Sequence, residues 1–405
     1  MSQKTTICQL VCVSEEARTS CRSSPRRTTF HACLFLSTEE RVRLESELML
    51  SLIYHSTMVV FLSLILPLLP ALGIAGEVKN CHPKCRCEVE SYGLFDSFSL
   101  TKVDCRGIGS GTTPVPIPLD TSHLDLSSNS ISSVTDSMLS GPGYTTLVSL
   151  DLSNNHIAQV SPKAFAKLRY LETLDLSHNA LESLGGGSFS GLPLTDVDLS
   201  NNMFQDFNLD LFNTRGPETP ISVDLSNNLL STVSRNPQGH AVHIKSLTLA
   251  GNRLRVVPTL TGVPLQYLSL DGNPITSIED GAFEKMNDLI YLSLSSLPEL
   301  TSIQPGSFRS LRNLQVLDLS YNSRLKGLSP DVFNGLTSLQ ELNLSKSVAG
   351  PLPVATFDHM PSLKSVTLGP NMHCWKTHKQ GQFHRQIGQA KANDILTCDV
   401  DGLIS

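Results

Sequence analysis

A solenoid of stacked α/β coils, with the strands aligned in one parallel concave sheet, is predicted by three observations. The first is a phrase that recurs along most of the chain: "LVSLDLSNNHI" at 147, "LETLDLSHNAL" at 171, "LTDVDLSNNMF" at 194, "LQYLSLDGNPI" at 265 and "LQVLDLSYNSR" at 314. The second is its period. The position that ends the phrase is occupied by Asn129, Asn155, Asn179, Asn202, Asn228, Asn252, Asn273, Leu297, Asn322, Ser347 and Asn371, at spacings of 26, 24, 23, 26, 24, 21, 24, 25, 25 and 24 residues. The third is that cysteines bracket this array on both sides. L-x-x-L-x-L-x-x-N at a period near 24 is the signature of leucine-rich repeats, in which each unit buries its apolar face only by stacking on the next. About eleven short strands are expected. A chain of 405 residues would otherwise suggest two or three ordinary domains, but a repeat array grows by adding coils.

Each unit opens with x-L-x-L-x, which reads as a strand whose leucines point inward and whose alternate residues point out. Leu124, Leu150, Leu174, Val197, Val223 and Leu247 form one core column. The Asn column turns the chain out of the strand, and its amide is suited to satisfying backbone groups of neighbouring coils. Phe165, Phe189, Phe212, Phe283, Phe308, Phe333 and Phe357 recur in the back half of their units, most of them followed three residues later by Leu or Met. They are expected to fill the convex side. The unit from Asn252 to Asn273 is short and lacks the Phe, and Leu297 and Ser347 replace the Asn, so the coil is expected to be irregular at these places.

The ends divide as follows. Residues 1–57 are Arg- and Ser-rich, lie outside the repeat frame and are expected to be absent from the mature protein, with Met58 as the working start. Met58 to Ala75, "MVVFLSLILPLLPALGIA", reads with Gly76 as a signal peptide over 58–76. Its 18 apolar residues would just span a membrane, but Pro67, Pro70 and Gly73 weaken a helix there. A cysteine-rich cap follows at 77–111, the repeats at 112–370 and a second cap at 371–405. Without residues 1–76 the chain carries 24 basic and 31 acidic residues, a net charge of −7, which argues against a nucleic-acid partner. Secretion to the extracellular space without membrane insertion is the expectation. An even cysteine count past the leader suits disulfides in an exported protein. The four clustered cysteines fit paired zinc knuckles poorly, and no metal or other cofactor is expected. No phosphate-binding loop, H-E-x-x-H or G-x-S-x-G is present, so no enzyme is expected.

The candidate binding residues face out of the strands. Asp125, Asp151, Asp175, Asp198 and Asp224 occupy the same position in consecutive units, an acidic ladder at a spacing of about 4.8 Å. Like charges this close repel one another unless a basic partner relieves them. The alternative is that Asp belongs to the local spelling L-D-L-S and is bonded within its own turn. Tyr267 and Tyr291 stand one position earlier on consecutive strands, either as binding anchors or as a packed cross-strand pair. Asn343 begins the sole N-x-[ST] sequon and is the candidate glycosylation site. His373, His378, His384, Lys376, Lys379 and Arg385 gather in the C-terminal cap, as a solvated surface or as a glycosaminoglycan site.

"CRCEVESYGLFDSFSLTKVDC" at 85–105, "PVPIPLDTSHLDLSSN" at 114–129, "GPGYTTL" at 141–147 and "LQYLSLDGNP" at 265–274 go beyond repeat consensus. With the C-x3-C-x-C-x17-C spacing and the short two-cysteine end, they make the chain resemble the secreted small leucine-rich proteoglycan family. The resemblance implies disulfides Cys81 to Cys87, Cys85 to Cys105 and Cys374 to Cys398. It also implies a non-enzymatic extracellular binder that modulates growth-factor signalling, including bone morphogenetic protein and Wnt pathways. The partners implied are growth factors or their receptors and antagonists. A structural matrix role on collagen fibrils, known among relatives, is the alternative.

Overall fold

The computed structural model describes residues 80–92, 98–109, 111, 114–212, 220–236, 242–347, 352, 354–369, 372–377 and 395–400. These belong to a compact unit spanning Gly76–Ser405, and the upstream segment and leader lie outside the described residues. A single sheet of 15 strands, in unbroken chain order, runs the length of this unit. Eleven are repeat strands, from Thr121–Asp125 through Ser149–Asp151 and Thr173–Asp175 to Ser365–Gly369, and all pair in parallel. In-register pairing places Leu124, Leu150, Leu174 and Val197 in one row, and all four are essentially inaccessible to water. A strand of three residues has two edges to satisfy, and each does so with its neighbours, as in Leu126 N–H to Asp151 C=O at 2.8 Å.

The return segments are turns, 3₁₀ helices and three short two-stranded parallel sheets (Ser133–Val134 with Gln159–Val160, Asp206–Asn208 with Thr232–Ser234, Ser277–Ile278 with Ser302–Ile303), and no α-helix is present among the described residues. The α component of the class is thus reduced to single turns. The cause is length: a unit of about 24 residues that spends half of them on a strand and its exit has room for little more than one turn. The Phe-x-x-Leu spacing is that turn. Leu168 N–H bonds Phe165 C=O at 2.9 Å, Leu192 bonds Phe189 at 3.2 Å, Leu311 bonds Phe308 at 2.9 Å and Leu336 bonds Phe333 at 3.2 Å. The short unit makes the same turn without the ring, Val263 N–H bonding Leu260 C=O at 3.2 Å. The rings form a second spine, with centroids 6.1 Å apart for Phe165–Phe189, 5.5 Å for Phe189–Phe212 and 5.8 Å for Phe283–Phe308.

The asparagines stitch coil to coil. Asn179 is typical: its Nδ2 donates to the carbonyls of Leu152, Leu176 and Ser177, each at 3.0 Å, and its Oδ1 accepts from Ile157 N–H at 2.9 Å. At Ser347 the hydroxyl takes over part of this role, donating to Leu319 C=O and accepting from Asn322 N–H. Leu297 is simply buried, and its own N–H bonds Asn322 Oδ1 at 2.8 Å. One residue per coil, just before the Asn position, adopts a left-handed backbone: Ser128, Asn154, His178, Asn201, Asn227, Gly251, Gly272, Ser296, Tyr321 and Lys346.

The N-terminal cap is an antiparallel pair, Arg86–Tyr92 with Phe98–Asp104, whose second strand continues the sheet in parallel with Thr121–Asp125. Cys81 is bonded to Cys87 and Cys85 to Cys105. Two loop segments singled out in the sequence dock on each other here. The buried Tyr144 hydroxyl accepts from Val115 N–H at 3.0 Å and donates to Val115 C=O at 2.8 Å, and burial pushes its pKa up to about 12. A Cβ on Gly143 would meet Pro118 O at 2.5 Å, so only glycine allows this approach. At the other end Met372–Thr377 and Ile395–Val400 extend the sheet antiparallel, with Cys374 opposite Cys398 in the backbone register. The rest of the C-terminal basic cluster lies outside the described residues.

Candidate functional site on the open face of the sheet

One face of the long sheet is packed on the leucine core, and the other, the expected concave face, carries the outward positions in two columns. The first runs Asp104, Asp125, Asp151, Asp175, Asp198, Asp224, Thr248, Ser269, Ser293, Asp318, Asn343 and Thr367. All five predicted aspartates stand there in register, and Asp104 from the cap makes a sixth. The local reading of Asp holds for one oxygen. Oδ1 of Asp125, Asp151, Asp175, Asp198 and Asp224 accepts the N–H two residues on, from Ser127, Ser153, Ser177, Ser200 and Ser226, at 2.7 to 2.9 Å. This is an Asx turn that leads the chain out of the strand. The charge itself is left over. Among the described residues no salt bridge engages Asp151, Asp175, Asp198 or Asp224.

The amino-terminal end of the ladder is partly compensated by one cation. Arg106 holds Asp104 through Nη2 at 2.7 Å and Nε at 3.1 Å and reaches Asp125 Oδ2 at 3.2 Å. The Arg106 hydrogen bond holds the Asp104 carboxyl below the usual range. In the middle the balance reverses. Burial pushes the Asp175 carboxyl up from its ordinary value of 3.8, and Asp151 and Asp198 add to that against the hydrogen bonds from Ser177. Burial does the same to Asp196, with Asp198 and Asp224 adding and Lys245 opposing.

A carboxyl whose pKa is higher in the folded state binds more proton there than in the unfolded chain. Stability therefore rises as pH falls through the window between 3.8 and the raised value, and ionised Asp175 opposes folding at neutral pH. Asp175→Asn keeps the Oδ1 acceptor, so the variant is expected to be more stable than the parent at pH 7. That advantage should vanish below pH 3.8, where both chains are neutral at this position. Denaturant midpoints at the two pH values measure it; an equal advantage at both would remove charge as the cause.

Past Asp224 the column changes character. Ser269 and Ser293 are buried, and a carboxylate from two residues further along takes the vacated place. Asp271 Oδ1 accepts from the Ser293 hydroxyl at 2.6 Å and from Ser295 N–H at 2.7 Å, while Oδ2 accepts from the Ser269 hydroxyl at 3.0 Å. Tyr267 and Tyr291 lie in the neighbouring column, half-buried and stacked, with ring centroids 4.7 Å apart and planes 11° from parallel.

This architecture is matched by known proteins. The leucine rich repeat family model covers residues 145–204, 264–323 and 296–348. Tsukushi of Danio rerio is 69% identical over 335 residues, 82% of this chain and 96% of that protein. The chain belongs to the tsukushi family. Tsukushi of Gallus gallus is 55% identical over 79% of this chain and 88% of its own length, and tsukushi of Homo sapiens 52% identical over 80% and 93%. Among solved structures, Toll in its complex with Spatzle superposes with a TM-score of 0.52 at 23% identity, over 62% of this chain and 33% of that one, which is a likeness of fold.

Within this tsukushi-family sheet, Asn343 sits on the open face with its amide engaged. Its Nδ2 donates to Asp318 Oδ2 at 3.1 Å, and its Oδ1 accepts from Ser345 N–H at 3.1 Å and the Ser345 hydroxyl at 2.9 Å. The nitrogen that would carry a glycan is thus a donor inside the acidic column. Asp104, Arg106 and Asp271 are the members of the face that the repeat pattern alone does not reveal. Asp104 follows Val103 and precedes a cysteine, outside any L-D-L-S phrase, and Asp271 stands two residues out of frame.

Proposed function

We propose that this chain is a secreted modulator of growth-factor signalling, of bone morphogenetic protein or Wnt type, that holds a basic surface of a growth factor or its receptor against the carboxylate ladder. The supporting observation is the run of Asp151, Asp175, Asp198 and Asp224, each with one oxygen fixed by its own turn and, among the described residues, no salt bridge to its carboxylate. Carboxylates preorganised this way need no rearrangement to receive a cation. Membership of the tsukushi family supports the extracellular setting, as does the apolar run of Met58 to Ala75, which we read as a leader. Toll, which shares the fold, is described in a complex with Spatzle.

The test is binding of Glu77–Ser405 to a bone morphogenetic protein dimer and, alongside, to fibrillar collagen, at physiological salt. Asp151→Asn with Asp175→Asn and Asp198→Asn keeps the turn acceptors and removes three charges. Growth-factor affinity is expected to fall about tenfold or more, with a shallower salt dependence. Unchanged affinity would reduce the ladder to turn chemistry, and binding to collagen alone would assign the protein to matrix organisation.

A further inference from the structure

The Tyr267–Tyr291 stack is asymmetric. Each ring covers one face of the other, and the second face of Tyr291 looks toward Val316, its in-register neighbour. The second face of Tyr267 looks toward Ser246, and beyond Ser246 stands Ser222. Two serines in a row reach too little above the sheet to cover an aromatic ring, so they floor a trough between Tyr267 and Asp196, which stand three strand spacings, about 14 Å, apart. Asp224, on the Ser222 strand, borders it, and both Asp224 and Asp271 act on the Tyr267 phenol after burial and Tyr291. Lys245 acts on Asp196 at the far side of the trough, where it opposes the charges of Asp198 and Asp224.

We propose that this trough receives a single arginine side chain of the protein partner, its guanidinium stacked on the free face of Tyr267 over Ser246 and its N–H fork turned to Asp224. The inference rests on the acidic-face reading above and adds to it a choice between cations. A lysine satisfies the ladder as a point charge, whereas a planar guanidinium stacks on an aromatic face and forks to a carboxylate at once.

Fluorescence anisotropy of labelled hexa-arginine and hexa-lysine peptides on the full chain, at about 50 mM salt, separates the two claims. The arginine peptide should bind tighter, and Tyr267→Leu should weaken it about fivefold, the equivalent of one cation–π contact, while leaving the lysine peptide within twofold. Tyr267→Phe should keep the preference. Retained lysine binding in Tyr267→Leu also reports that the fold and the ladder are intact. Equal affinities in the parent, or a preference that survives Tyr267→Leu, would overturn the arginine slot and leave the acidic face standing. Binding of neither peptide would overturn the acidic face, and the slot with it.

Discussion

Asn179→Ala is expected to lower the unfolding free energy by about 4 kcal/mol. The side chain contributes no hydrophobic burial worth that amount, so the loss is polar. Alanine withdraws the amide from the carbonyls of Leu152, Leu176 and Ser177 and the acceptor from Ile157 N–H, and these groups belong to more than one coil. Each buried group left without a partner costs about 1–3 kcal/mol, reduced where water enters. Serine should do better than alanine, because Ser347 already fills this position elsewhere with its hydroxyl on Leu319 C=O. Equilibrium denaturation with urea measures both variants. A loss below about 1 kcal/mol for alanine would mean that the coils are held by their leucines alone.

Phe189→Ala follows at about 3–5 kcal/mol, for the opposite reason. Phe189 is fully buried and meets a ring on either side, Phe165 at 6.1 Å and Phe212 at 5.5 Å, so its removal opens a cavity inside the second spine. The neighbouring coils cannot close it, since their separation is fixed by the parallel strands on the other side. Phe189→Leu should recover more than half of the loss. The short unit already makes the same turn with Leu260 and Val263. If the alanine variant melted with the parent, the return segments would have to be more compliant than this packing allows.

The parallel sheet was legible because its cause is local: a leucine at alternate positions, repeated each time the chain comes round. The number of repeat strands follows from the Asn spacing for the same reason. The return segments were less so. Phe and Leu three residues apart suit one turn of an α-helix as well as a 3₁₀ turn, and only the length left in each unit decides. For the ladder, a repeated Asp was open to a functional and a local reading, and the structure gives the local turn one oxygen of each carboxylate. Arg106 and Asp271 were hidden because each acts on a residue of another strand or coil, and pattern within one coil carries no trace of that. The fit of Gly143 against Pro118 and of Tyr144 against Val115 was marked by two unusual segments, but nothing in them says that they touch.

The left-handed residue in every coil has a practical meaning for anyone wishing to harden this molecule. Asparagine and glycine tolerate that backbone, and five of the ten positions already have one or the other. Ser128, His178, Ser296, Tyr321 and Lys346 do not, and each such residue holds back roughly 1–2 kcal/mol of conformational energy. Tyr321 and Lys346 recover part of it through a cation–π contact at 4.7 Å. Ser128, His178 and Ser296 make no such contact among the described residues, lie at the exits of different strands and are open to consensus replacement by asparagine. The repeat thus contains its own thermostabilisation scheme, written in the coils that already follow it.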